Sequence, residues 1–316
     1  MRHIFIINPV AGKSDITKKL RDEIIYECEE HNIDPLIFIS EYAGYEKEMT
    51  EKMCSLFANE EIRIYSCGGS GTLAHVLSGV LDFKTTEVAC YPCGLTNDLL
   101  KCYGKNIQSF RSIKKLIEGK TDVLDIININ NYRVANFVNF GLSNNQYQDT
   151  VFLDFAPITS SKISYISATL KDIFTNYCGR YDITIDGKDY SGAYCMVVCF
   201  NGLCMGGNLM PLAEPRPNDG YMNILLIDEM SRLERLQLFH QIVHRKLNRS
   251  NPNVHILKAK ELTVFRKDGN GVLTFNCDGE IISTNNNSAS IRLIPNQLKF
   301  VVPQKAELLT PLEQDV

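Results

Sequence analysis

The sequence predicts an α/β domain on a parallel sheet, followed by an antiparallel β-sandwich. Apolar runs of strand length alternate with helical patterns through roughly the first 120 residues. Three of those runs end in glycine-bearing turns that lead into helical patterns. From about residue 121 the alternation gives way to successive strands joined by Gly or Asn turns.

Residues 3–8 (HIFIIN) form the first predicted strand, and residues 14–30 a helix opened by Ser14. That helix places Ile16, Leu20, Ile24 and Cys28 on one face. Strand 35–40 follows, then a helix expected to turn Met49, Met53, Leu56 and Phe57 inward. Strand 62–67 runs into a helix carrying Leu73, Val76, Leu77 and Val80. Strand 88–92 precedes a helix over 109–119, with Phe110, Ile113, Leu116 and Ile117 inward. A sheet of this kind is covered on both faces and binds ligands beyond its strand carboxyl ends.

In the second half, strands are expected at 121–130, 132–140, 181–186, 190–200, 221–228, 254–266, 271–276 and 289–302. Two helices interrupt them, at 162–176 and 231–246. The second opens with Ser231 and Glu234 at the spacing of a capping box. The domains are set at 1–128 and 129–302, with a weakly helical tail at 303–316.

The chain has 316 residues, 44% apolar and 22% charged, with a net charge of −4. That balance argues against general nucleic-acid binding. Apolar runs fall well short of the roughly 18 residues of a membrane span. Arg2 and His3 lead straight into a strand, so no secretory signal is expected, and the eleven cysteines are expected to be reduced thiols in the cytoplasm. Cys90 and Cys93 form a C-x-x-C without a second pair at zinc spacing.

The glycine turns carry the chemistry. They are Asn8-Pro9-Val10-Ala11-Gly12-Lys13, Cys67-Gly68-Gly69-Ser70-Gly71-Thr72 and Pro92-Cys93-Gly94-Leu95-Thr96-Asn97-Asp98. Glycine lets the backbone approach an anion closely, and the first amides of a helix point outward without partners. Gly69 to Ala74 also fits the dinucleotide fingerprint G-x-G-x-x-A, but after the third strand and with no acidic residue at the end of the next. Each turn alone also fits an ordinary tight turn. Asp278-Gly279 alone reads as a hairpin turn. His31, His75, His240 and His244 read as surface or helix residues, and Arg245, Lys246 and Arg249 as a solvated basic face or as a cluster that helps meet an anionic membrane surface.

Taken in order, these segments resemble the diacylglycerol-kinase-type lipid kinases, relatives of sphingosine kinases and, more distantly, of NAD kinases and phosphofructokinases. The resemblance spans nearly the whole chain. Asn8-Pro9-x-Ala11-Gly12 is similar to the family's first phosphate-side turn, Gly68 to Leu73 to its G-G-D-G-T-L segment, and Pro92 to Asp98 to its P-x-G-T-x-N-D. Val123-Leu124-Asp125, Pro217-Asn218-Asp219-Gly220-Tyr221 and Asp278-Gly279-Glu280 resemble three further segments.

The resemblance implies ATP and Mg2+ as cofactors and a lipid hydroxyl as acceptor, with diacylglycerol the leading substrate and phospholipid metabolism the setting. It implies transient contact with a membrane surface, is compatible with a homodimer, and implies that the C-terminal tail returns to the first domain. It places nucleotide contacts at Asn8, Pro9, Gly12, Lys13, Ser40, Gly68, Gly69, Ser70, Gly71, Thr72, Leu95, Thr96, Asn97, Asp98 and Asp125. Catalysis falls to Asp278 and Glu280, either of which could take a proton, and a structural magnesium to Pro217, Asp219 and Tyr221.

The chain also departs from the family. Ser70 stands where the family has aspartate, Leu95 where it has threonine, and Ala74 and His75 where it has asparagine and glutamate. Leu142 to Asn145 do not match the residues usual after Gly141, and Arg216 replaces a tolerated lysine. The changes cluster on the nucleotide side, so a catalytically impaired nucleotide- or lipid-binding relative is the alternative.

Overall fold

A computed structural model of the chain describes residues 1–104, 107–141, 178–206, 209–212, 215–268 and 272–309. The helix expected at 162–176 and the segment Leu142–Asn145 lie outside the described residues.

The first domain runs β1 (Arg2–Ile7), α1 (Thr17–Glu30), β2 (Pro35–Ile39), α2 (Tyr45–Leu56), β3 (Ile62–Gly68), α3 (Ser70–Gly79), β4 (Thr86–Pro92) and α4 (Ile113–Ile117). Its strands pair in parallel in the order β2-β1-β3-β4. All four therefore end at one edge of the sheet, where the three glycine turns gather.

The second half continues with β5 (Lys120–Ile129), β6 (Tyr132–Val134), β7 (Phe137–Gly141), β8 (Gly179–Ile185), β9 (Lys188–Asp189), β10 (Gly192–Phe200), β11 (Met222–Asp228), α5 (Arg232–Val243), β12 (Val254–Ala259), β13 (Glu261–Arg266), β14 (Thr274–Cys277), β15 (Glu280–Ser283) and β16 (Ser288–Val302). Its antiparallel strands wrap a core that includes Phe140, Val197, Cys199, Leu262 and Phe275. On the outer face, α5 buries Leu238 and Ile242 over Phe200 and Leu225. The Ser231–Glu234 capping box is formed.

Two strands join the halves. β16 pairs with β13 near its start, with β5 along most of its length, and in parallel with β4 through Lys299–Val301. The return to the first domain thus begins inside the strand, before residue 303. The tail continues it: Ala306 and Leu308 pack on the first core, and the Leu309 amide donates to the Cys102 carbonyl at 2.8 Å.

Several local expectations change. The first helix starts at Thr17 with Ile16 as its N-cap, not Ser14. The helix over 109–119 shrinks to Ile113–Ile117 behind a Ser112 cap, with a 3-10 turn at Ile107–Phe110. The single strand 254–266 is two, broken at Lys260, where the Asp186 carboxylate takes the amides of Lys260 (3.1 Å) and Glu261 (2.9 Å). In helix α2, Met53 is buried and Met49 and Phe57 pack on the core as expected, but Leu56 is 67% exposed, and Glu46, Thr50 and Cys54 are buried as well. Gly79 accommodates the Thr50 side of the helix. A Cβ there would lie 2.3 Å from the Lys47 carbonyl and 2.7 Å from Thr50 Cβ, so a bare Cα lets α3 press against that face of α2. Cys178 and Cys195 form a cross-strand disulfide beside the Gly179–Tyr194 pair, correcting the expectation of reduced thiols throughout; the other nine are free.

Candidate active site

The three glycine turns pack directly on one another. β3 enters α3 through Gly69, an extended N-cap, and no side chain caps the helix. A Cβ on Gly94 would lie 2.3 Å from the Gly69 Cα, so a bare Gly94 allows the second and third turns this approach. Gly12, at φ +91°, sits so close to Cys93 that a Cβ would meet its carbonyl at 2.2 Å. The amides of Cys93 (3.1 Å) and Gly94 (3.0 Å) donate to the Gly68 carbonyl. Asn8 Nδ2 donates to Thr72 Oγ1 at 3.1 Å, tying in the first turn. The Asn97 side chain closes the third turn on the Gly94 carbonyl at 3.1 Å. Asn8 and Pro9 are half-buried on this edge, while Lys13 and Leu95 are exposed on it.

Ser70 is buried and engaged on both sides. Its amide donates to the Thr96 carbonyl at 3.0 Å, and its Oγ accepts from the Asp98 amide at 3.2 Å. Asp98 is buried, with the Cys204 thiol against its carboxylate at 3.6 Å. The amides of Gly71 and Thr72, in the first turn of an uncapped helix, face the edge where an anion would sit.

Opposite stands the Asp278–Gly279 hairpin. Both residues have positive φ, +52° and +99°, and join β14 to β15 as a two-residue turn across the Cys277–Glu280 pair. The plain hairpin reading is correct, and the turn also delivers a carboxylate. Asp278 Oδ2 accepts the amides of Ala135 (3.2 Å) and Asn136 (3.1 Å), and Oδ1 accepts that of Phe137 (2.8 Å). Burial nevertheless pushes its carboxyl up to about 7, against the three amide bonds and with help from the Asp98 charge. Ser70, Asn97, Asn136 and Asp278 border one small cavity of about 10 Å³, enough for a single water.

Glu280 reaches the cradle itself. A Cβ on Gly71 would lie 2.1 Å from Glu280 Oε1, so the missing side chain makes room for the carboxylate. His75 and Glu46 back this arrangement: His75 Nδ1 lies 3.2 Å from Glu46 Oε2, and Nε2 lies 4.0 Å from Glu280 Oε2. Ser40, at the end of β2, donates to Glu46 Oε1 at 2.9 Å.

Asp125, expected at the nucleotide side, is engaged within the fold. It is fully buried in the seam between the halves, and its two carboxylate oxygens accept the amides of Gly220 and Asn296, each at 2.8 Å. Its own amide donates to the Pro217 carbonyl at 2.6 Å. Asp125 therefore clamps the Pro217–Tyr221 loop. In that loop Asp219 accepts from Lys258 Nζ at 2.9 Å and from the Tyr221 amide at 3.1 Å, and Lys260 Nζ lies 5.0 Å from the centre of the Tyr221 ring. As the loop stands, the Asp219 carboxylate is paired with the Lys258 ammonium, so a magnesium here would have to displace that lysine. Among the described residues no cluster of His, Cys, Asp or Glu would hold a metal. We therefore expect chelator or millimolar magnesium to leave the thermal midpoint of the ligand-free protein unchanged. A rise of several degrees with magnesium would show that the cation displaces Lys258.

The fold sets an α/β lobe, with its glycine turns, opposite a hairpin of an antiparallel β-sandwich. Residues 2–129 match the family described as the diacylglycerol kinase catalytic domain, and residues 144–302 match the YegS C-terminal NAD kinase beta sandwich-like domain. The chain belongs to the diacylglycerol-kinase-type lipid kinases, in their bacterial two-domain form. It is 25% identical over 246 residues to Staphylococcus aureus proteins, of strains JH9 and N315 among others, named "Putative lipid kinase", covering 78% of each chain. A crystal structure described as a diacylglycerol kinase from Bacillus anthracis str. Sterne superposes with a TM-score of 0.68 at 19% identity, covering 99% of this chain and 98% of that one. At that identity the likeness speaks for the fold.

Sequence reasoning missed several residues. Glu46 lies in a helical stretch with no motif around it, and His75 is grouped with the ordinary histidines. Lys258 and the amides of residues 135–137 carry no motif. Only His75 leaves a trace, since it departs from the family beside the glycine turn.

Proposed function

We propose that this chain transfers the γ-phosphoryl group of ATP to the hydroxyl of a lipid, with diacylglycerol the leading substrate. The observation that carries the reading is the Asp278 carboxyl, raised to about 7 by burial and bordering the same small cavity as Ser70 and Asn97 of the glycine turns. The outward amides of Gly71 and Thr72 would bind the polyphosphate, and Asn8 and Asn97 fix the turns around it. Asp278 would act as general base: the lipid oxygen bonds to the γ-phosphorus, its proton passes to Asp278, and the bond to ADP breaks. Magnesium would arrive with the nucleotide and neutralise its phosphate charge. The lipid would be met at a membrane surface, where an acceptor of this class resides.

A second reading, an impaired family member, is favoured by Ser70. Its hydroxyl is spent on the Asp98 amide and brings no charge to the nucleotide side. The test is transfer of labelled γ-phosphate to diacylglycerol in mixed micelles. Transfer by the unmodified chain supports the active enzyme. No transfer from any lipid, with a gain of more than about tenfold over background in Ser70→Asp, supports the impaired relative.

A further inference from the structure

Polar side chains run in a line from the end of β2 to the hairpin of the other lobe. Ser40 Oγ donates to Glu46 Oε1 at 2.9 Å, Glu46 Oε2 meets His75 Nδ1 at 3.2 Å, and His75 Nε2 faces Glu280 Oε2 at 4.0 Å. Glu280 ends the line against Gly71 in the first turn of α3. Glu46 is 2% exposed, and a carboxylate at that depth is costly unless it is paired. Ser40 satisfies one of its oxygens. The imidazole satisfies the other and directs its second nitrogen across the lobes at Glu280.

We propose that His75 is a positioning residue for Glu280: anchored by Glu46, its imidazolium holds the Glu280 carboxylate over the first turn of α3, at the edge of the phosphate cradle. The proposal rests on reading that cradle as the nucleotide site. A histidine between two carboxylates from different lobes is a clasp, and its strength depends on its charge. The groups facing it are Glu46 and Lys47 from α2, Glu280 from the hairpin, and Tyr132 from β6, whose ring stands edge-on at 6.0 Å. Burial pushes the imidazole down, but the Glu46 hydrogen bond and the Glu280 charge outweigh burial and the Lys47 charge, and the net shift is upward. Burial likewise pushes Glu46 up, yet bonds from His75, its own backbone and Ser40 hold it below the usual carboxylate range. Because the His75 value is raised in the fold, the clasp is complete below the ordinary histidine value of about 6.5 and is lost as pH rises through the raised one. The hold of His75 on Glu280 therefore weakens as pH rises through the raised His75 value.

The first arm of the test is NMR titration of the His75 ring in the full chain, with the resonance assigned by its loss in His75→Gln. The ring should titrate above about 6.5, and Glu280→Gln should lower its midpoint by about half a unit or more, with Glu46→Gln lowering it further. Glu280 is on the surface, so its variant is expected to fold even if Glu46→Gln does not. The second arm is the pH dependence of kcat for phosphoryl transfer to diacylglycerol. His75→Gln should lower kcat by about three- to tenfold with little change in the KM for ATP, and should remove the alkaline limb. An unmoved His75 midpoint in Glu280→Gln would overturn the clasp whether or not the chain is an enzyme, as would an alkaline limb that survives His75→Gln. If the chain transfers no phosphate while the midpoint shifts as stated, the kinase reading fails and the clasp stands.

Discussion

Asp278→Asn is expected to lower kcat by about a thousandfold, within the range of about 10² to 10⁴ seen when a general base is removed. The loss should fall on kcat, with the KM for ATP nearly unchanged, because Asp278 faces the acceptor hydroxyl in this account and not the adenylate. Glu280→Gln should cost less, about tenfold, since it leaves the base in place. The pH dependence separates these roles. Asp278 works only when ionised, so the activity of the unmodified chain should rise with pH through about 7. Stability moves the other way. The Asp278 value is raised in the fold from 3.8 to about 7, so its contribution is complete below about pH 4 and is lost as pH climbs through 7. Between pH 6 and 8 the thermal midpoint of the unmodified chain should therefore fall relative to that of Asp278→Asn. Parallel midpoints across that range would mean that the buried carboxyl does not titrate there.

Gly94→Ala is the second change with a large expected effect. The added Cβ would lie 2.3 Å from the Gly69 Cα and 2.7 Å from the Gly69 nitrogen. Both are backbone atoms that no rotamer can move aside. The second and third turns must separate, which should cost about 1–3 kcal/mol of stability. The same movement takes Gly69 and the start of α3 out of register with the first turn. Binding of Mg·ADP should weaken by about tenfold or more, even in preparations that are fully folded by circular dichroism. Gly44→Ala is the control on folding: nothing lies within 4 Å of its Cβ, so the added methyl meets no atom, and the effect should be confined to backbone strain at φ +89°.

The site was legible where its chemistry is local. A glycine turn between strand and helix is written in consecutive residues, so the cradle at Gly68 to Thr72 and its neighbours at Asn8 and Asn97 could be found from sequence. Asp278-Gly279 was legible as a turn for the same reason, since its two positive φ angles suit that pair. Contacts between distant elements were not legible. Asp125 sits in a motif, but its partners Gly220 and Asn296 lie far along the chain, so its role as a clamp appears only once β5 and β16 are paired. Glu46 was hidden because an apolar count finds Met49, Met53 and Phe57 and passes over a polar residue, while the close contact at Gly79 encloses the Thr50 side of the helix. Lys258 was hidden because a strand lysine has no pattern that names its partner.

The central claim is that backbone amides at the start of α3 hold the phosphates of a nucleotide, and calorimetric titration of the full chain with Mg·ADP tests it most directly. The account predicts a saturable one-site isotherm that weakens in Gly94→Ala. A flat titration to millimolar nucleotide, with the protein folded, would contradict it.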